Sequence, residues 1–73
     1  MEKKELTQEQ IERISAGAQV ADAVVVAAYT YIAADMNLAK DHGALAKKLS
    51  AAGFRVRHEH IAILAHSIAM ELM

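Results

Sequence analysis

From Ala16 to Ala34 the chain runs for nineteen residues with a single charge, Asp22, on a background made mainly of alanine and valine. A helix that is apolar nearly all the way round has to be covered on most of its sides. The chain has 73 residues, a size at which one core supplies only about 3–5 kcal/mol of net stability and an additional staple is common. Cysteine is absent, which removes disulfides and thiolate metal sites and leaves oligomerisation as the available staple.

The sequence contains no proline, no internal repeat and no low-complexity linker, and its composition favours helix throughout. Thr7 and Gln10 have the spacing of a capping box, and Leu6 and Ile11 that of a hydrophobic staple, so a helix is predicted to start at Thr7. Glu9 and Glu12 then stand where the helix dipole favours negative charge. Beyond this start Ile11, Ile14, Ala18, Ala21, Val25, Ala28 and Ile32 form one three-four stripe. Val20, Val24, Ala27, Tyr31 and Ala34 form a second, with Gln19, Asp22, Tyr29 and Thr30 in a narrow polar sector between them. Unbroken from Thr7 to Met36, such a helix would be about 45 Å long, too long for a chain of this size to cover unless it bends or dimerises. Ser15, Ala16 and Gly17 are the expected place to bend, because glycine within a helix is costly and marks kinks.

Asn37 to Gly43 reads as a turn and Ala44 to Ala52 as a short helix. Gly53 is placed as the left-handed residue that ends this helix, with Phe54 closing back onto Leu49. Phe54 and Val56 alternate with Arg55 and Arg57, the pattern of an extended connector with its arginines outward. A last helix from about Arg57 to Leu72 carries Ile61, Leu64, Ala65, Ile68 and Leu72 on its main face, and Ile63 and Met70 on the far side near His66. The expected fold is all-α: one domain over residues 1–73, a bundle of three to four helices with one long Ala/Val-rich central helix, completed by oligomerisation.

Residues 1–37 hold three Lys/Arg against six Asp/Glu, and residues 38–73 hold five against three. The acidic N-terminal stretch Met1 to Ser15 is unlike the positive start of a secretory signal. The apolar segment is alanine-rich, interrupted by an acid and without basic anchors, which argues against a membrane span. A cytoplasmic protein is expected.

Four histidines invite a metal reading, but His58 and His60 stand two apart, pointing to opposite sides of a helix, and His66 lies two turns beyond His58. A metal site would need His42 or another subunit, so no metal or cofactor is expected. Surface or interface histidines would instead make an assembly sensitive to pH near about 6–7. Asp22, on an otherwise apolar helix, must face solvent or find a partner. It has no visible base or nucleophile beside it, and no catalytic residue is assigned. Asp22, Tyr29 and His66 are therefore candidates for a polar interface or ligand contact.

Lys47, Lys48, Arg55 and Arg57 form a basic patch over a helix, a turn and the start of a second helix. This order matches a helix-turn-helix nucleic-acid binder, in which basic residues hold phosphates. The exposed face of the second helix, however, offers His, Glu, Ile and Met rather than the side chains that read base edges. Separately, Leu6, Thr7, Ile11, Ile14 and Ala16-Gly17 resemble the leader of double-glycine peptide precursors. The resemblance covers residues 6–17 with alanine in place of the first glycine, and it implies a peptide cleaved after Gly17.

The functional expectation is a small non-enzymatic interaction protein that acts as a homo-oligomer and binds another protein. Val20, Val24, Val25, Ala28, Tyr31 and Ile32 are expected to pack across subunits. A nucleic-acid-binding regulator and a processed precursor are the two alternatives.

Overall fold

The computed structural model describes residues 6–72. Four helices follow one another: α1 Gln8–Ala18, α2 Asp22–Ala34, α3 His42–Ala51 and α4 His58–Leu72, with a short 3-10 helix at Met36–Ala39 between α2 and α3. The all-α class is thus as expected.

The start of α1 is the capping box. The Thr7 hydroxyl accepts the Gln10 N–H at 3.1 Å, and the Gln10 side-chain oxygen accepts the Thr7 N–H at 2.9 Å. The same Gln10 amide donates to Glu71 Oε2 at 2.8 Å, tying the start of α1 to the end of α4. Leu6 and Ile11 both pack against the core.

The continuous helix from Thr7 to Met36 does not form. α1 ends at Ala18, Gln19 adopts a left-handed conformation (φ 57°, ψ 47°), and its N–H and that of Val20 both bond to the Ser15 carbonyl. α2 then leaves at 103° to α1. The bend falls two residues beyond Gly17, which stays helical within α1. A straight helix of about 45 Å would also have exceeded the longest dimension of the molecule, 30 Å.

Among the described residues α2 and α4 each touch every other element, while α1 and α3 do not touch one another. The core is wholly apolar: Ile14 and Ala18 from α1, Val24, Val25, Ala28 and Ile32 from α2, Leu38, Leu45 and Leu49, then Ile61, Leu64, Ala65 and Ile68 from α4. α2 is apolar on nearly all sides because α1, α3, α4 and the 3-10 helix surround it. What it leaves outside is Asp22, Ala23, Val26, Thr30, Ala33 and Ala34, with one large apolar side chain among them. No described helix is long and apolar enough to cross a membrane.

Asp35 and Asp41 supply the later caps. The Asp35 side chain accepts the Asn37 N–H at 3.0 Å, and the Asp41 side chain accepts the Ala44 N–H at 3.1 Å, so α3 starts at His42, two residues before Ala44. Its end follows the Schellman pattern: Phe54 N–H bonds the Leu49 carbonyl at 2.9 Å, Gly53 N–H bonds the Ser50 carbonyl at 3.0 Å, and Gly53 has φ 94°.

Gly17 and Gly53 make opposite predictions. A Cβ at Gly17 meets nothing within 4 Å, so the structure gives no reason for glycine there. Gly17→Ala should raise stability by about 0.5–1 kcal/mol. Gly53→Ala, forced into the left-handed region, should lower it by about 1–2 kcal/mol. Urea denaturation of the two variants reads both signs. Val24 and Ala28 are 6% and 0% exposed within one chain. Val24→Asp and Ala28→Arg are therefore expected to abolish the circular-dichroism melting transition, not to release a folded monomer from an assembly.

Candidate functional site

The bend after α1 and the extended link before α4 meet at one corner and leave a cavity of about 410 Å³ between them. That volume lies within the ~300–1,000 Å³ of small-ligand pockets. Val20 and Val24 from the start of α2 and Phe54 and Val56 from the connector give it apolar walls. Gln19, Arg55, Arg57 and His60 give it polar ones. Among the described residues the lining contains no carboxylate, hydroxyl or thiol side chain.

Both walls are held by backbone devices. Gln19 and Val20 are fixed by their shared bonds to Ser15, and Phe54 by its bond to Leu49. Phe54 and Val56 turn inward and are half-buried, while Arg55 and Arg57 are exposed, the alternation expected of an extended strand-like link. Among the described residues neither arginine makes an ion pair. The pocket also receives the N-termini of two helices. The N-cap of α2 is Ala21, which provides no side-chain cap. The Arg57 carbonyl accepts the first bonds of α4, from His60 and Ile61, but its side chain carries only donors and cannot cap the free N–H groups. The first-turn acids, Asp22 of α2 and Glu59 of α4, are outside the lining.

Asp22 is not an acid in the middle of a helix. It is the first residue of α2, exposed, where the dipole favours a carboxylate, and it accepts a long hydrogen bond of 3.4 Å from the Gln8 side chain. The basic patch is divided. Lys48 Nζ lies 5.8 Å from the centre of the Tyr31 ring, joining α3 to α2, whereas Arg55 and Arg57 line the pocket and Lys47 is exposed on α3.

The expected subunit interface also needs correction. Val24, Val25, Ala28 and Ile32 lie in the chain's own core, and Val20 and Tyr31 are half-buried against it. Periodicity identified these faces as buried, but α1, α3 and α4 of the same chain supply the cover. Among the described residues the large apolar side chains left exposed are Val26, Met36, Ile63 and Met70. Tyr29 is half-buried against the core, and His66 is exposed on α4 between Ile63 and Met70.

The fold brings His42, at the start of α3, beside His58, at the start of α4, with ring centres 6.5 Å apart in an edge-on arrangement. No group of three or more His, Asp or Glu among the described residues could hold a metal ion. Ala16 and Gly17 are exposed in the last turn of α1, and Ala18 immediately after them is fully buried, so a peptidase cutting there would first have to open helical backbone. No protein-family model, no curated protein and no solved structure matches this chain.

Proposed function

We propose that the chain is a non-enzymatic interaction module whose working surface is the corner pocket between the α1–α2 turn and the α3–α4 connector. The observation that carries this reading is the chemistry of the lining: two arginines that make no ion pair among the described residues, an amide and an imidazole around an apolar floor. Such a set offers hydrogen-bond donors and positive charge to a partner. The backbone of both walls is held by bonded turns, so little backbone ordering accompanies binding. An anionic group on a protein segment or a small molecule is the complementary partner.

Self-association is a second reading, favoured by Ile63 and Met70. They stand seven residues apart on one face of α4, are 46% and 61% exposed, and have His66 between them. An isologous contact through this face would leave the pocket free.

Two-dimensional NMR of the isotope-labelled chain against anionic, neutral and cationic fragments and acidic peptides tests the main reading. Anionic probes should shift the amides of residues 19–24 and 54–60 selectively; shifts scattered over the surface, or none, would contradict it. Duplex DNA serves as a comparison. Binding that falls steeply with salt and depends on Lys47 and Lys48 as much as on Arg55 and Arg57 would favour a nucleic-acid binder instead. Sedimentation of the same sample decides the second reading: a dimer lost on Ile63→Lys with Met70→Lys supports it, and a monomer at micromolar concentration removes it.

A further inference from the structure

We infer that the corner pocket takes a small amphipathic organic anion: an oxyanion head, carboxylate or phosphate monoester, on an apolar body. The inference rests on the pocket being the binding surface and adds the chemical class of its occupant. Size comes first. A cavity of about 410 Å³ lies toward the lower end of the ~300–1,000 Å³ of small-ligand pockets. That suits a medium-length acyl or aryl chain and is too small for a folded partner.

The polarity of the lining orients such a molecule. Val20, Val24, Phe54 and Val56 offer no donor or acceptor side chain, so the part of the ligand against them must be apolar. Arg55 and Arg57 are two residues apart on extended backbone, so their side chains leave the same face of the connector. A guanidinium fork matches the paired oxygens of a carboxylate or phosphate. With no carboxylate among the described lining residues to neutralise them, the two arginines make the polar side of the pocket cationic. A neutral ligand would leave that charge unused, and a cation would be repelled by it.

The test is a titration of the labelled full chain with decanoate and decyl phosphate, followed by NMR and calorimetry. Decanol, decyltrimethylammonium and inorganic phosphate serve as comparisons. One or both amphipathic anions should saturate at residues 19–24 and 54–60. Arg55→Gln with Arg57→Gln should weaken binding by about tenfold or more, as the loss of hydrogen bonds to charged groups implies, with the circular-dichroism spectrum unchanged. Lys47→Gln with Lys48→Gln should leave the affinity as it was. Decanol binding as tightly as decanoate would overturn the anionic head, and inorganic phosphate binding as tightly as decyl phosphate would overturn the apolar body; either leaves the pocket as a binding surface. Amphipathic anions that shift no pocket residue overturn the inference, and acidic peptides in the same assay then decide separately whether the broader reading survives.

Discussion

Gln19 sits in the left-handed region, where a side chain with a Cβ costs about 1–2 kcal/mol relative to its ordinary helical conformation. That cost is tolerated because the alternative is worse. A straight continuation would carry Val24, Val25, Ala28 and Ile32 away from α4 and leave them to solvent, whereas all four are almost completely buried. At roughly 1.5–3 kcal/mol for each large apolar side chain removed from water, the burial outweighs the backbone strain. Turning the chain at Gln19 lets α2 lie among the other helices, and the core is assembled around it.

The same turn places the pocket. A bundle whose helices meet at wide angles leaves gaps at its corners, and here the α1–α2 corner faces the connector that leads into α4. Gly53 does for that connector what Gln19 does for the other side, through the left-handed end of α3. The floor is apolar because it borders the core, and Val24 belongs to both. The rim is cationic because the extended alternation at residues 54–57 sends its arginines outward. Fold and site thus share the same few backbone devices.

Local devices were legible in the sequence. The Thr7–Gln10 box, the glycine stop at Gly53 and the alternation of Phe54 to Arg57 each depend on residues within a few positions of one another, and each is present. The break in the long apolar segment is harder to place, because Gly17 is the residue with the freedom to bend yet stays helical, and the left-handed turn falls at Gln19. Asp22 carried the better signal: an acid in an apolar run marks the first turn of a new helix as readily as it marks a buried exception. Periodicity also indicated that α2 has more than one buried face but is silent on which molecule covers it, hence the reassignment of Val24, Val25, Ala28 and Ile32 from a subunit interface to the core. The pocket joins residues 19–24 to residues 53–60, and His42 meets His58. Such pairings depend on the helix directions, which no local pattern encodes.

The bend at Gln19 is tested most directly by a distance across it. Spin labels at Gln8 and Thr30, both exposed, can be measured by pulsed electron paramagnetic resonance in dilute solution. Two helical legs at 1.5 Å per residue, meeting at the 103° bend, predict a backbone separation of about 20 Å. A separation near 33 Å, the length of a straight helix over the same residues at that rise, would contradict the account.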